Sequence, residues 1–405
     1  MSMKRIIITI FIISAFISAC NQKNQQFNEK NENIDKPKIL LNINLTQTYP
    51  ERKIFMQDIA NVEYVPLETR NNSLIGIVYE YAVYDSCIVM CNISNGELIF
   101  FDRKGKFLSN FSRQGASGAE YTSISSWLYD SHSKEIYILD NRSGNRLLAY
   151  SNTGQIKYSI RYPLKRKFSY LFDYDENTIL GVESDITASK EENNDPNDYV
   201  FISKADGGII SNIMNIKKAV STAFYSIDGD ATTVHSFPNK IICTDGNDFI
   251  ISDPSSDTIF TLDRNKKIKP LLIRQPSVTN TEHPIIFETF FKNEKYLIGT
   301  TTYCNFEPNS KDKIESIKTI GINLESNEIY RPVLYNSDAP ESDYFPGLIQ
   351  THEQTIAPKN VWVLSISVSA LQRLLSKNQL KGKLKEIAEG LKDDDNLVLI
   401  LLSFK

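Results

Sequence analysis

Apolar and polar residues alternate in short blocks along most of this chain of 405 residues, and one arrangement of blocks recurs. The stretch Cys91–Phe111 comprises a polar turn, an apolar run, a tight polar turn and a second apolar run. The same order returns about 49 residues later in Asp140–Ile160 and again, with a small slip, in Asp253–Ile273. Two apolar runs joined by a short polar turn are typical of a β-hairpin. The sequence therefore predicts a hairpin that repeats.

The spacing of these hairpins predicts the architecture. Weaker copies of the turn lie at Lys204–Gly207 and Leu324–Glu328, so the turns recur about every 50 to 60 residues. Repetition at this period indicates a solenoid or a propeller, and it leaves room for four short strands. Runs such as Leu98–Phe101 and Ile136–Leu139 are apolar on both faces, as expected for strands sandwiched between neighbouring blades. We therefore predict an all-β fold, a β-propeller, over residues 39–405.

Further strands are predicted where apolar runs are bounded by clusters of Asn, Asp, Gly and Ser, which supply turn chemistry. These runs are Leu40–Leu45, Val62–Leu67, Ile75–Val83, Cys87–Cys91, Lys134–Leu139, Tyr170–Phe172, Thr178–Val182, Tyr199–Ser203, Lys240–Thr244, Phe249–Ser252, Tyr296–Thr302, Thr319–Leu324 and Asn360–Ser367.

One segment near the C-terminus has helical spacing instead. Leucine, isoleucine and alanine recur every three to four residues over Ser369–Leu391, with lysines on the opposite side. This predicts a short amphipathic helix over about 369–391, which Gly382 could kink or split. A closing strand over about 397–404 follows an acidic turn. We expect the helix to pack on the propeller rim; the alternative is a lysine-rich helix lying on a membrane.

The first 20 residues have the features of an export signal. Lys4 and Arg5 form a positive start, and Ile6–Ile17 is an apolar core too short to span a bilayer comfortably. Small residues precede Cys20, which resembles the lipobox of bacterial lipoprotein precursors. The resemblance implies that Cys20 becomes the first residue and carries acyl chains, several of which anchor a protein stably. The alternative is an ordinary secretory signal in which the cysteine has no role.

Residues 21–38 are polar and nearly free of apolar side chains. Such a segment cannot bury enough surface to fold, so we predict a flexible tether between lipid and propeller. Some surface-exposed lipoproteins carry an acidic cluster after the cysteine, but here the next residues are Asn, Gln, Lys and Asn. The side of the membrane that the protein faces is therefore left open.

The composition of the chain limits the kinds of molecule that it could bind. The formal net charge is −4 and no basic stripe is present, which excludes the electrostatic footprint of a nucleic-acid-binding protein. The five cysteines form neither a disulfide framework nor a zinc spacing. Cys87 and Cys91 would lie too far apart on one strand to bridge, and with Cys243 and Cys304 they are interpreted as buried free thiols. We expect no cofactor and no metal ion.

Three segments resemble the six-bladed, NHL-like β-propeller lipoproteins that are abundant in gut Bacteroidetes. They are Gln57–Thr69 (QDIANVEYVPLET), Gly115–Tyr121 (GASGAEY) and the C-terminal DDDNLVLILLSFK. The resemblance implies six blades and an outer-membrane location, often in the company of nutrient uptake systems. A propeller ring closes when one blade takes strands from both chain ends. Val62–Leu67 and Leu397–Phe404 are the candidates for that shared blade.

Motifs for catalysis are not recognisable in the sequence. It contains no HExxH and no Gly-rich phosphate loop, and its four histidines are isolated. Gly115–Ala119 nearly matches a nucleophile elbow, but the last glycine is replaced and no helix is expected after it, so we interpret it as a turn. Asp228–Asp230 and Asp253–Asp257 lack the full spacing of a calcium loop and are also interpreted as turns. The 49 carboxylates neither locate nor exclude a glycosidase-like pair.

The candidate ligand-binding residues follow the first hairpin. Arg113, Glu120, Tyr121 and Trp127 together offer hydrogen bonds and an aromatic platform for a sugar ring. Propellers usually bind ligands through loops held by the rigid blades. The alternative is that these residues pack the connection between two blades.

These observations predict a lipid-anchored propeller of the cell envelope that acts as a non-catalytic binding or interaction module for a glycan, a peptide or an envelope protein. One competing hypothesis is a carbohydrate-active enzyme on the same fold, either a polysaccharide lyase or a glycoside hydrolase. Another is a structural subunit of an envelope complex. A carboxylate pair that converges in the central channel would favour the enzyme, whereas scattered aromatic residues there would favour binding.

Overall fold

The region after the predicted tether consists almost entirely of strands. The computed structural model describes residues 40–76, 79–164, 166–183, 197–216, 223–228, 231–236, 241–244, 248–279, 281, 284–303, 318–340 and 356–405. The predictions made for the signal segment, Cys20 and the tether lie outside these ranges. So do Cys304, His283 and His352.

Three strands and a short helix precede the first blade. They are β1 (Leu41–Asn44), β2 (Glu51–Phe55), α1 (Met56–Ile59) and β3 (Ala60–Pro66). None of these strands pairs with its neighbour in sequence, because each joins the outer edge of a different sheet formed later in the chain.

The first three blades are four-stranded antiparallel meanders. Blade 1 contains β4 (Tyr79–Val83), β5 (Ile88–Asn92), β6 (Glu97–Phe101) and β7 (Phe107–Phe111). Blade 2 contains β8 (Ser126–Asp130), β9 (Glu135–Asp140), β10 (Arg146–Tyr150) and β11 (Ile156–Arg161). Blade 3 contains β12 (Phe168–Asp175), β13 (Thr178–Glu183), β14 (Asn197–Ser203) and β15 (Ile209–Ile216).

A separate hairpin interrupts the series before blade 4. It is formed by β16 (Ala223–Asp228) and β17 (Ala231–Ser236). Blade 4 contains β18 (Ile241–Thr244), β19 (Phe249–Ser252), β20 (Thr258–Leu262) and β21 (Ile268–Gln275), and β1 pairs with β21 in parallel. Blade 5 contains β22 (Ile285–Lys292), β23 (Tyr296–Tyr303), β24 (Lys318–Asn323) and β25 (Ile329–Tyr335), and β2 pairs with β25 in parallel.

Blade 6 joins the two ends of the chain. It contains β26 (Val361–Ile366) and β27 (Val398–Phe404), and β3 completes the described part of the sheet in the order β26-β27-β3. The antiparallel register runs from Val398 opposite Pro66 to Phe404 opposite Ala60. The predicted shared blade is therefore confirmed, and the chain forms a six-bladed β-propeller.

Six apolar cores hold the ring together, one between each pair of neighbouring blades. The core that closes the ring packs Leu399 and Val363 of blade 6 against Tyr81 and Met90 of blade 1. An open arc of six blades would have only five such cores. Middle strands such as β5 and β10 are buried along their whole length, which confirms the expectation that they are covered on both faces.

The repeated hairpins are the two outer strands of successive blades. The first three copies correspond to β6–β7, β10–β11 and β20–β21, and the weaker copies correspond to β14–β15 and β24–β25. The residue two positions before the second outer strand has a left-handed backbone in all five turns. The φ angle is +82° at Gly105, +76° at Gly154, +74° at Gly207, +63° at Lys266 and +60° at Asn327.

A buried ion cluster also joins blades 2 and 3. The Lys204 ammonium lies 2.6 Å from the Asp130 carboxylate on β8 and 2.7 Å from the Asp173 carboxylate on β12. Burial by itself would raise the pKa of Asp130, but the hydrogen bond and charge of Lys204 outweigh it and hold that pKa below its ordinary value. The cluster thus fixes two first strands of neighbouring blades against each other.

Two helices, rather than one, occupy the segment before the last strand. They are α2 (Val368–Ser376) and α3 (Gly382–Gly390), and the Gln372 amide donates to the carbonyls of Ala388 and Leu391 at 2.8 and 2.9 Å. Gly382 adopts φ of +52° at the break. Leu371 and Leu384 are fully buried in the core between blades 5 and 6, so the helices pack against the propeller as expected. No helix in the described part of the chain is long and apolar enough to cross a membrane.

Candidate functional site

The connection from blade 1 to blade 2 carries three of the four predicted site residues. Tyr121 is fully buried there; its hydroxyl donates to the Gly96 carbonyl at 2.7 Å and accepts from the Arg113 amide at 3.0 Å. The Tyr121 and Tyr150 rings meet edge to face with centroids 6.3 Å apart. Tyr121 therefore fixes the course of the connection and is not accessible to a ligand in this structure.

Glu120 closes its own turn. Its carboxylate accepts a hydrogen bond from the Ser117 amide at 2.9 Å, and hydrogen bonds from Ser117 lower the pKa of the carboxyl. A Cβ on Gly115 would overlap this carboxylate, so a side chain there would displace it. The Glu120 carbonyl accepts from Arg146 at 2.7 Å. The near match to a nucleophile elbow is thus a turn, as predicted, and it leads through β8 rather than a helix.

Arg146 secures this connection to blade 2. Its guanidinium also lies 3.1 Å from the Asp140 carboxylate, which accepts hydrogen bonds from Thr122 and Ser143 as well. Burial alone would raise the pKa of Asp140, but these hydrogen bonds outweigh it and lower the pKa to about 2. The anchored connection is therefore a rigid support for any side chain that projects from it.

Arg113 is the exposed member of the group. Its Nε donates to the Gly154 carbonyl at 3.1 Å, and its guanidinium lies 5.7 Å from the centre of the Phe111 ring. Gly154 belongs to the outer turn of blade 2, whereas Phe111 ends blade 1. The Arg113 side chain therefore spans the seam between the two blades, and its Nη1 also donates to the Ser112 carbonyl at 3.0 Å.

A groove of about 390 Å³ follows this seam. The residues that line it are Phe100, Ser109, Asn110, Phe111, Ser112, Arg113, Tyr129, Lys134, Ile136, Ser151, Asn152, Thr153 and Gly154. The lining combines aromatic rings with hydroxyl and amide groups, and its two charged side chains, Arg113 and Lys134, are both cationic. Its volume falls in the range of small-molecule sites.

Trp127 lies apart from the other predicted residues. It is 5% exposed on β8, and its indole Nε1 donates to the Glu80 carboxylate at 2.8 Å. Because β8 is the first strand of blade 2, Trp127 lies on the side of the blade that borders the central channel. The structure thus brings Arg113, Glu120 and Tyr121 together, whereas Trp127 shares only the apolar core between blades 1 and 2 with Tyr121.

Two carboxylates also lie on first strands, which border the central channel. Glu80 lies on β4 and Glu288 on β22, the first strands of blades 1 and 5. Burial raises the pKa of both carboxyl groups, that of Glu288 to about 7, and the indole hydrogen bond only partly offsets the effect at Glu80. The charges of both carboxylates also raise the pKa of the Tyr170 phenol on β12, after the larger effect of burial. Each carboxylate therefore lies within electrostatic range of the Tyr170 phenol.

The cysteines and the acidic turn considered in the sequence have structural roles wherever the structure describes them. Cys87 and Cys91 are free and buried, as predicted, and burial raises the pKa of both thiols. The Asp253 carboxylate accepts from the Ser255 amide at 2.9 Å, which is a turn contact. Among the described residues no group of three or more His, Cys, Asp or Glu side chains could hold a metal ion.

Comparison with known protein families identifies the family to which this chain belongs. The family described as a domain of unknown function (DUF4934) matches residues 40–403. The chain belongs to this family. No curated protein is significantly similar to it.

Solved structures with some similarity to this DUF4934 chain include three propellers or exported proteins. A protein of Bacteroides fragilis NCTC 9343, described as exported, superimposes with a TM-score of 0.63 at 16% identity over 90% of this chain and 99% of the other. More distant are a streptogramin B lyase, with a TM-score of 0.36 at 10% identity over 85% and 98% of the two chains, and a regucalcin from Agrobacterium tumefaciens, with a TM-score of 0.40 at 10% identity over 84% and 96%. The first of these likenesses supports the propeller fold.

Sequence reasoning missed Glu80 and Glu288 in this DUF4934 propeller. Each is a single acidic residue inside an apolar run, YEYAV for Glu80 and IIFETFF for Glu288. A lone carboxylate in such a run is a signal in itself, because burying a charge without a partner is costly. The strand that carries Glu288 was also absent from the predicted strands.

Proposed function

We propose that this protein is a lipid-anchored binding protein of the cell envelope and that the groove between blades 1 and 2 binds a glycan. The groove is the observation that carries the proposal. Its aromatic rings suit the apolar faces of sugars, and its hydroxyl and amide groups suit sugar hydroxyls. The rigid connection below it, held by Tyr121 and Arg146, keeps Arg113 in place without a ligand, which limits the entropy lost on binding.

The anchor is proposed from the sequence around Cys20. The described export of the Bacteroides fragilis neighbour supports an envelope location without bearing on the lipid. We expect cells that produce the protein to incorporate labelled palmitate into it and to retain it in the membrane fraction. The Cys20→Ser variant should lose both properties, and a variant that still carries palmitate would reject the anchor at this residue.

Glycan binding is tested by thermal shift on the full chain in detergent with plant and host oligosaccharides. A ligand at 100 times its dissociation constant adds about 2.7 kcal/mol to the stability of the folded state, which raises the melting temperature measurably. The Arg113→Gln variant should lose most of this shift. Arg52→Gln is the matched control, because Arg52 is an exposed arginine of blade 5. If no glycan shifts the wild type, the glycan proposal fails, and capture of an envelope protein becomes the next experiment.

The competing enzyme hypothesis needs an acid and a base beside the bound sugar. The lining of the groove contains no Asp or Glu, which favours binding without catalysis at that site. Glu80 and Glu288 in the channel are the observation that favours an enzyme. Product analysis on any glycan that binds decides between the two: release of new reducing or unsaturated ends that is abolished in Glu288→Gln would establish the enzyme.

A further inference from the structure

The groove between blades 1 and 2 carries charge of one sign. Its charged lining residues are Arg113 and Lys134, and no carboxylate occurs among the described residues that line it. The chain as a whole has 49 acidic and 45 basic residues, so a basic composition does not account for a groove whose charges are all positive. A local excess of positive charge in a cleft attracts anions and raises their concentration there.

The Arg113 guanidinium is held at the groove by neutral groups. Its Nε donates to the Gly154 carbonyl at 3.1 Å and its Nη1 to the Ser112 carbonyl at 3.0 Å, which uses two of the five N–H groups of a guanidinium. Tyr121 fixes the backbone, because its hydroxyl accepts from the Arg113 amide at 3.0 Å and its amide donates to the Arg113 carbonyl at 3.1 Å. Arg113 therefore presents a positive charge that no carboxylate of the described residues neutralises.

Lys134 carries the second charge. It is an exposed residue in the turn between β8 and β9, with φ of +57°. The neighbouring acid, Glu135, is paired with Lys157 at 2.6 Å. Glu97 accepts from the side chain of the lining residue Asn110 at 3.5 Å but does not itself line the groove. Within the part of the chain that the structure describes, these acids leave the cations of the groove without a counter-ion.

The groove also has a size and an apolar side that suit a sugar. Its volume of about 390 Å³ lies near the lower end of the range for small-molecule sites, so a ligand that fills it contacts both cations. The Phe100 and Tyr129 rings line the groove and meet edge to face with centroids 5.1 Å apart. Aromatic rings pack well against the apolar faces of sugars. A ligand that uses the whole lining therefore has an apolar face, hydroxyl groups and negative charge.

We propose that the glycan bound by this groove is acidic and that Arg113 and Lys134 bind its carboxylate or sulfate groups. The inference rests on the glycan function proposed above and adds the class of sugar to it. Oxygen atoms of carboxylates and sulfates accept charge-assisted hydrogen bonds from guanidinium and ammonium groups, and such bonds are stronger than those between neutral groups. A neutral sugar leaves this interaction unused, and a cationic sugar is repelled.

The test is isothermal titration calorimetry on the full chain in detergent with two matched pairs of sugars. Trigalacturonic acid and its methyl ester differ in the carboxylate charge, and sulfated isomaltotriose and isomaltotriose differ in the sulfate. We expect at least one acidic sugar to bind at least about tenfold more tightly than its neutral counterpart, because hydrogen bonds to charged groups contribute more than neutral ones. The acidic sugar that binds better distinguishes a carboxylate from a sulfate ligand.

Salt provides a second measurement of the same charge interaction. Mobile ions screen charges at an exposed site, so an increase of sodium chloride from about 50 mM to about 500 mM should weaken binding of the acidic sugar at least about threefold. Binding of the neutral counterpart should not change.

Variants separate a binding role from a structural one. Arg113→Gln and Lys134→Asn should each lower the ratio of acidic to neutral affinity at least about threefold, whereas Arg113→Lys keeps the charge and should retain most of the ratio. Asparagine is chosen at Lys134 because it tolerates the left-handed backbone there. Lys104→Asn is the control, at an exposed lysine that does not line the groove, and should leave the ratio unchanged. A purely structural loss would weaken both members of a pair equally.

Three results would overturn the inference. Equal affinity for the acidic and the neutral member of both pairs would reject an acidic ligand and leave the glycan function of the groove intact. An acidic preference that survives in both Arg113→Gln and Lys134→Asn would place the acidic group elsewhere on the protein. Failure of the folded wild type to bind any of the four sugars would reject the acidic ligand together with the glycan function.

Discussion

A single residue decides the shape of each outer turn. In the turn of blade 1 the Asp102 carboxylate accepts from the amides of Lys104 and Lys106 at 2.8 and 2.9 Å. Asp263 makes the equivalent contacts in blade 4, with 2.9 Å to both Asn265 and Lys267. The side chain thereby replaces backbone partners that the tight turn cannot supply.

The glycine of the blade 1 turn provides the first prediction. Gly105 has φ of +82°, and a Cβ there would lie 2.1 Å from the Pro66 carbonyl oxygen of β3. We expect Gly105→Ala to lower the free energy of unfolding by at least about 2 kcal/mol, since the left-handed backbone alone costs about 1–2 kcal/mol for a residue with a side chain. Urea denaturation measures this change.

The control for that prediction is Gly390→Ala. Gly390 ends α3, and a Cβ there meets no atom within 4 Å. Alanine is the better helix former by about 0.5–1 kcal/mol, so this variant should be neutral or stabilised. Equal losses in the two variants would show that the turn at Gly105 is not the source of the effect.

The buried carboxyl of Glu288 makes stability depend on pH. Its pKa is about 7 in the folded protein and near 4.5 ordinarily, so the folded state retains the proton that the unfolded state loses. The stabilisation of the folded state by this retained proton is fully present below pH 4.5 and is lost as the pH rises through 7. We expect the stability of the wild type relative to Glu288→Gln to fall by about 3 kcal/mol over this window. Glu294→Gln, at an exposed glutamate in blade 5, should show no such trend. A difference between wild type and Glu288→Gln that stays constant with pH would contradict the prediction.

At the scale of elements, the two C-terminal helices belong to the propeller core. The Ser367 hydroxyl caps α2 by accepting from the Ala370 amide at 3.3 Å, and Leu371 and Leu384 enter the core between blades 5 and 6. Lys383 and Lys385 form ion pairs with glutamates on the exposed side of α3. Exposure of this helix face to solvent therefore explains the lysines, and contact with a membrane surface is not needed to explain them.

Truncation of a helix side chain tests this packing. Leu371 is fully buried, so Leu371→Ala should lower the free energy of unfolding by about 2–5 kcal/mol through lost burial and the cavity left behind. Lys377→Ala, at the exposed end of α2, should change it by less than about 0.5 kcal/mol. The two variants are compared by denaturant unfolding. A loss at Leu371 as small as that at Lys377 would show that the helices do not contribute to the core.

At the scale of the whole molecule, the ring is closed by pairing between residues from opposite ends of the chain. β27 is the central strand of the described part of blade 6, and it pairs with β26 on one side and β3 on the other. Its residues Leu399 and Leu401 also enter the core shared with blade 1. Closure therefore depends on one strand that serves a sheet and two inter-blade cores at once.

Deletion of Asp393–Lys405 should open the ring. The change removes β27 and leaves β3 without its partner, so we expect the melting temperature to fall by more than about 10 °C or cooperative unfolding to be lost. Deletion of residues 21–38, the predicted tether, serves as the control and should leave the melting temperature unchanged. An unchanged melting temperature in the C-terminal deletion would refute closure by this strand.

The sequence by itself determined the features of this protein that depend on the order of apolar and polar residues along short stretches of chain. Polar turns between apolar runs specify hairpins, their period specifies blades, and apolar strands at both chain ends indicated the closing pair β3 and β27. The strands β2, β8, β16, β17 and β22 were not among the predicted strands. At β22, Phe287 and Phe291 enter different inter-blade cores and Glu288 interrupts the apolar run, so neither a simple alternation nor a turn signal marks the strand.

Only the tertiary structure decided where the chemistry lies. Arg113 and Trp127 are close in sequence, but one lies on the groove and the other borders the channel, because the connection between them leads from the outer strand of blade 1 to the inner strand of blade 2. Glu80 and Glu288 are more than 200 residues apart in sequence and are brought to one channel by ring closure. Such proximity results from long-range packing of whole blades, which residue spacing along the chain does not encode.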